Sequence, residues 1–223
     1  YCTWRCGVDP PSEKADRMPV DLIHIGMHKS ASTYLQEEGF PSHPQIRLES
    51  FYKTAPEADR LIWSMFKGLA SFCLEDLERH FQVMRSETPS DQKIVFSWEK
   101  LSGHMFTGEN SRYIAEQLRS VFGDTRLLLV LRNQYSYVLS CWCHYVREGG
   151  TLSLRRFLDS PASPAVDAFG AFDVKKKRVG FLEKLDYAQH VRMLFDLFGR
   201  NNVHVLFYED MRSDFAQFMR DVY

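Results

Sequence analysis

The residues with the most chemistry in them lie in one short run, His24-Ile25-Gly26-Met27-His28-Lys29-Ser30-Ala31-Ser32-Thr33-Tyr34-Leu35-Gln36. A β-branched stretch ends, a loop carries Gly26 and Lys29, and hydroxyls open what reads as a helix. Free backbone N–H groups at a helix start favour an anion. Lys29 adds a mobile positive charge, and Ser30, Ser32 and Thr33 add short donors, so the segment could cradle a phosphate. It is not the loop of nucleoside triphosphatases, which needs a glycine directly before the lysine; His28 stands there instead. A plainer reading is also open, in which Ser30 caps a helix and Lys29 faces solvent.

A second anchor follows the apolar run Leu127-Leu128-Leu129-Val130-Leu131. Arg132 sits at the carboxyl end of that strand, where open α/β sheets bind ligands. Its fork can hold a phosphate through two parallel bonds, and Ser140 lies eight residues on. Pairing of Arg132 with a carboxylate is the alternative. Glu99 follows Ile94-Val95-Phe96-Ser97-Trp98 and so stands at a strand end of the same kind. There it could accept a proton or merely form a salt bridge or helix cap. His28 and His43 could line an acceptor cleft. Trp98, Trp142 and Tyr145 could wall it, with core packing as the default. The run Lys175-Lys176-Lys177-Arg178 could meet an anionic glycan or simply be solvated.

These residues need elements to position them. The chain has 223 residues, 44% hydrophobic and 26% charged, enough for one domain with its own core. Formal net charge is −1, so bulk attraction to nucleic acid is excluded and any anion site must be local. The longest apolar run is far short of the ~20 residues of a membrane span. Five cysteines, Cys2, Cys6, Cys73, Cys141 and Cys143, are irregularly spaced; they read as reduced thiols rather than a disulfide framework or a zinc site. Residues 1–19, with Gly7, Pro10-Pro11 and Pro19 and no apolar period, read as a tail, leaving 20–223 as the folded unit. Strands are expected at Leu22–Ile25, Ile94–Phe96, Leu127–Leu131 and Val203–Phe207. Helices are expected at Ser30–Glu38 (closed by Gly39 and Pro41), 61–69, 74–84, 113–122, Tyr135–Arg147 and 182–198, with a short one at the end. Stretches 41–60, 148–180 and, within the latter, 159–173 read as loops. Alternating strands and helices predict a single α/β domain with a mainly parallel, P-loop-like central sheet.

Two motifs together resemble the sulfotransferases that use 3′-phosphoadenosine 5′-phosphosulfate (PAPS). The first run is similar to that family's 5′-phosphosulfate loop, P-K-[ST]-G-T-[ST]: Lys29, Ser30, Ser32, Thr33 and Tyr34 match, His28 replaces Pro, and Ala31 replaces Gly, where a positive φ is costly. Leu127 to Ser140 is similar to its 3′-phosphate motif, with Gln134 in place of Pro. Tyr208-Glu209-Asp210-Met211 and the helix from Tyr187 to Gly199 also look like the family's. The resemblance runs in patches from about residue 21 onward. A basic, glycine-containing loop that normally follows is missing, so the chain is either cut short or holds the 3′-phosphate with fewer contacts.

The resemblance implies sulfuryl transfer from PAPS to an acceptor hydroxyl, giving PAP, by direct in-line displacement without a metal. The segment Lys29, Ser30, Ala31, Ser32, Thr33 and Tyr34 would bind the nucleotide with Arg132 and Ser140. Lys29 would stabilise the leaving oxygen, and Glu99, or else His104, would take the proton. A Glu base is similar to bacterial and glycan-modifying members, which points to a carbohydrate or other small hydroxyl acceptor. A cytoplasmic setting is expected, or the Golgi lumen if an anchor has been removed. An ATP-dependent small-molecule kinase and a non-catalytic nucleotide-binding scaffold are the alternatives. Oligomeric state is not readable.

Overall fold

The computed structural model describes residues 20–50, 64, 73–106, 108, 110–159 and 184–223. The expected tail with Cys2 and Cys6, the helix at 61–69, most of the 159–173 loop and the run Lys175–Arg178 lie outside them. Five parallel strands form one sheet: β1 (Leu22–His24), β2 (Ile46–Ser50), β3 (Lys93–Ser97), β4 (Arg126–Leu131) and β5 (Val203–Phe207), in the order β2-β3-β1-β4-β5. The α/β parallel-sheet expectation is met. β4 lies inside the sheet, and its side chains alternate between two cores. Leu127, Leu129 and Leu131 join Ile23, Ile94, Phe96 and Phe122 on one face. Leu128 and Val130 join Leu35, Phe40, Val95 and Phe218 on the other. Each such side chain withdrawn from water contributes about 1.5–3 kcal/mol, which is why a continuous apolar run forms here.

The first helix, α1, runs as Ser32–Tyr34, a π-helical stretch Leu35–Gly39 and Phe40–Ser42. It therefore starts later than expected and passes through Gly39 and Pro41 instead of ending there. Phe40 N–H bonds back five residues to Leu35 O, so the hydrogen-bond ladder has already shifted where Pro41 has no N–H to give. β2 was missed, because its pattern Ile46-Arg47-Leu48-Glu49 is short and half polar, as suits a sheet edge. The remaining helices are α2 (Leu74–Glu87), α3 (Ser111–Phe122), α4 (Gln134–Arg147), α5 (Leu154–Asp159), α6 (Tyr187–Phe198), α7 (Tyr208–Ser213) and α8 (Phe215–Val222). α6 starts five residues later than expected, where the Asp186 carboxylate accepts from Gln189 N. Among the described residues no helix is long and apolar enough to cross a membrane, and no His/Cys/Asp/Glu group could hold a metal ion.

Candidate active site at the carboxyl edge of the sheet

β1 ends beside β3 and β4: His24 lies level with Ser97 and Leu128. The loop that follows is tightly determined. A Cβ on Gly26 would lie 2.2 Å from Ser32 Oγ, so only glycine fits. Lys29 (φ 64°) and Ala31 (φ 68°) are both left-handed, while Ser30 between them is not. That alternation is the kind that turns successive amides into a concave anion seat. Each left-handed L-residue costs roughly 1–2 kcal/mol, so the expected strain at Ala31 is present. Ser32 Oγ donates to Met27 O at 3.2 Å. Ser30 is fully buried, yet among the described residues its hydroxyl has no partner, nor does His28 Nδ1. A buried polar group left unpaired costs about 1–3 kcal/mol. No side chain caps α1, so Ser30 is not the helix cap of the plainer reading.

Arg132 leaves β4 on the same rim. Its Nη1 donates to Lys29 O at 2.7 Å and its Nε to Ser136 Oγ at 3.0 Å. Its guanidinium lies 4.6 Å from the centre of the Tyr208 ring. Among the described residues it has no carboxylate partner; Glu209 instead accepts from Asn133 N at 3.0 Å. Asn133 Oδ1 caps α4 by accepting from Ser136 N. Ser140 follows Ser136 by one turn on the same helical face. Tyr187 OH is buried without a partner; burial, with Cys141 and Glu209 nearby, pushes its phenol up, while Arg132 pulls it down. Sequence reasoning missed Ser136, Tyr208 and Tyr187 as site residues. For Ser136 the i, i+4 spacing from Arg132 was the available signal.

Glu99 opens a 3₁₀ turn (Glu99–Ser102) directly after β3. Burial raises its pKa above the usual carboxylate range, and the charges of Lys29 and Lys100 pull it back. Lys29 and Glu99 thus lie within electrostatic reach. His104 accepts from Phe106 N through Nδ1 at 3.4 Å. Burial holds His28 neutral, with Lys184, His104, Lys100 and Lys29 adding to the effect. Beneath the loop, His24 Nδ1 and Ser97 Oγ are 2.7 Å apart, and Gln36 Nε2 donates to Ser97 Oγ at 3.0 Å. Burial takes the His24 pKa down to about 3.

No protein-family model matches the chain, and no curated protein does. Among solved structures, a sulfotransferase from Alicyclobacillus acidocaldarius superposes with a TM-score of 0.62 at 20% identity, covering 91% of this chain and 78% of that one. The chain has the sulfotransferase fold. A mouse sulfotransferase complexed with PAP matches more loosely, with a TM-score of 0.49 at 16% identity over 93% of this chain and 57% of that one. The sulfotransferase domain of the curacin biosynthetic pathway gives 0.44 at 12% identity over 92% and 74%.

Within this sulfotransferase fold the candidate residues divide. Lys29, Ser30, Ser32, Glu99 and Arg132 gather at the carboxyl rim with His28 and His104. Thr33 is exposed on α1, and Tyr34 packs edge-on against Phe215 of α8, centroids 5.4 Å apart. His43 is a correction: its ring lies 4.2 Å from that of Tyr223, and it lines a groove at the amino end of the sheet, so it cannot share a cleft with His28. Trp98 and Tyr145 belong to the core rather than to a cleft wall. Trp142 donates through Nε1 to Leu152 O.

Proposed function

We propose that the chain is a sulfotransferase that takes a sulfuryl group from PAPS and transfers it to an acceptor hydroxyl, with a carbohydrate the favoured acceptor class. The observation that carries this reading is the bond from Arg132 to the backbone of Lys29. It ties two anion-binding turns into one rim, with a buried unpaired Ser30 hydroxyl between them and no carboxylate spending the Arg132 charge. These residues fit a doubly phosphorylated adenosine: Lys29, Ser30, Ser32 and Thr33 for the phosphosulfate end, Arg132 and Ser140 for the 3′-phosphate, with Ser136 orienting Arg132. PAPS, when bound, supplies the sulfuryl group and the leaving phosphate. Lys29 offsets negative charge on the leaving oxygen. Glu99, its pKa raised by burial, accepts the acceptor's proton more readily than an ordinary surface carboxylate. The loop amides, fixed in advance by the left-handed Lys29 and Ala31, need no reorganisation as charge develops. The transfer asks for no metal.

Calorimetry with PAP and with ADP–Mg²⁺, followed by sulfate transfer from PAPS to a panel of hydroxyl acceptors, tests the reading. PAP is expected to bind and ADP–Mg²⁺ to bind far more weakly. Preference for ADP–Mg²⁺ would mark a kinase; PAP binding without transfer to any acceptor would mark a scaffold.

A further inference from the structure

A second set of buried polar groups lies beside the Glu99 turn, next to the nucleotide rim, where the Lys184 charge also acts on His28. Lys184 is only 4% exposed, and its ammonium makes one hydrogen bond, to Ser102 O at 2.5 Å. An ammonium has three protons to donate, so among the described residues two remain without a partner, and no described carboxylate pairs with it. Burying a cation without a counter-charge is costly. The strain registers in Lys184 itself, whose pKa is pulled down to about 7 by burial. His190, one helical turn into α6, has a buried Nε2 with no partner. Burial and the Lys184 charge bring its pKa to about 3.

Both residues line a cavity of about 180 Å³ whose other walls include Ser111, Arg112, Asp186 and Gln189. The twelve-residue α3 starts at this cavity with no side chain capping it, so its first amides add positive potential. Among the described residues Asp186 is the carboxylate that lines it, and its Oδ1 accepts from Gln189 N. Gly108 (φ +69°) lies against the Lys184 stem: an added Cβ would come within 3.2 Å of Cδ. Among the described residues the Lys184 ammonium keeps protons to donate, the His190 ring can donate in its Nε2–H tautomer, and the space suits one small oxyanion with a few waters. We infer that this cavity is an oxyanion subsite that takes a carboxylate, sulfate or phosphate group carried by the acceptor. The inference rests on the sulfotransferase reading for the word acceptor, and it narrows the acceptor to anionic molecules. The cavity itself stands on its own residues.

The test is an inorganic sulfate titration followed by the ring resonances of His190, on the full chain with and without saturating PAP. Saturable shifts that persist with PAP present are expected. His190→Phe, which leaves the Lys184–Ser102 bond intact, and Lys184→Met, which replaces the buried cation by an apolar side chain of similar length, should each weaken sulfate at least tenfold while PAP affinity holds. In the Phe variant, sulfate binding is read from the resonances of Gln189. Absence of saturable shifts up to 50 mM sulfate (roughly the weak end for a built anion site), or shifts unchanged in Lys184→Met, overturns the subsite. Sulfate binding without PAP binding leaves the subsite and removes the sulfotransferase reading; the reverse result does the opposite. With PAPS, a uronate-bearing disaccharide should outperform its neutral counterpart in kcat/KM, and Lys184→Met should abolish that preference. Equal rates on the two acceptors overturn the assignment to the acceptor.

Discussion

The two ends of the sheet differ in what their polar groups are doing. The amino end holds the roomier groove, about 820 Å³, lined by Asp21, Lys93, Arg126, His204 and Tyr223 among others. Most of its polar groups are occupied. Asp21 is bridged by Arg85 and Lys93 at 3.2 Å each and also accepts from Ile94 N. His204 meets Asp221 O, and Tyr223 OH donates to Gly39 O. At the carboxyl end, among the described residues, Ser30 Oγ, His28 Nδ1 and Tyr187 OH are buried without partners, and Arg132 faces no carboxylate. Nearly all buried polar groups in proteins are paired, so the state of the polar groups, and not volume, sets the carboxyl end apart.

The strongest way to break this contrast is to remove charge from each end. Lys29→Ala should lower turnover with PAPS by about 10²–10³-fold or more. Arg126→Ala, in the amino-end groove, should leave turnover unchanged and stability within about 0.5 kcal/mol. Equal losses would mean that the site has been put at the wrong end. Glu99→Gln should cost about 10²–10⁴-fold in kcat and leave PAP affinity intact. The sign of its pH dependence follows from the raised pKa. The base works only when ionised, so activity should fall as pH drops through a midpoint above the normal Glu value. That acidic limb should vanish from the residual activity of the Gln variant. A limb retained in Glu99→Gln and lost in His104→Gln would give the role to His104.

Arg132→Lys sharpens the same point with a smaller effect. Lysine cannot bond Lys29 O and Ser136 Oγ together and still present a fork to a phosphate. PAP affinity should drop by about 10–100-fold, the scale of a lost charge-assisted bond. Affinity for AMP, which lacks the 3′-phosphate, should change by less than about threefold. Parallel losses for the two nucleotides, read by calorimetry, would show that Arg132 does not face the 3′ end.

Much of this was legible beforehand because it depends on local pattern. Runs such as Leu127–Leu131 are apolar on both faces and can only be inner strands, and the residues that follow them must emerge at the carboxyl rim. Lys29, Glu99 and Arg132 could therefore be set on one edge from strand ends alone. What escaped depends on partners distant in sequence. β2 is half polar and is recognisable only by its register with β3. The Arg132–Lys29 bond spans 103 residues. The burial of Lys184 against Ser102 joins residues 82 apart. His28 and His43 could both have lined a cleft or been ordinary surface or core histidines, because nothing local tells which end of a sheet a loop histidine faces.

The smallest effects belong to the loop backbone, and they separate shape from charge. Gly26→Ala forces a Cβ against Ser32 Oγ and should destabilise the fold by about 1–3 kcal/mol, read as a lower urea midpoint. Ala31→Gly should do the reverse. At φ 68° the alanine carries left-handed strain of about 1–2 kcal/mol, and glycine removes it. Glycine also loses more backbone freedom on folding, which returns about 0.5–1 kcal/mol. The net gain should be below about 1 kcal/mol, or up to about 2–4 °C in Tm for a chain of this size, with turnover preserved. Lys29→Gly relieves the same kind of strain while deleting the ammonium, so it should gain similar stability and lose activity as Lys29→Ala does. If Ala31→Gly lowered the urea midpoint, the left-handed turn on which the carboxyl-end site is built would be wrong, and the contrast between the two ends would lose its geometric basis.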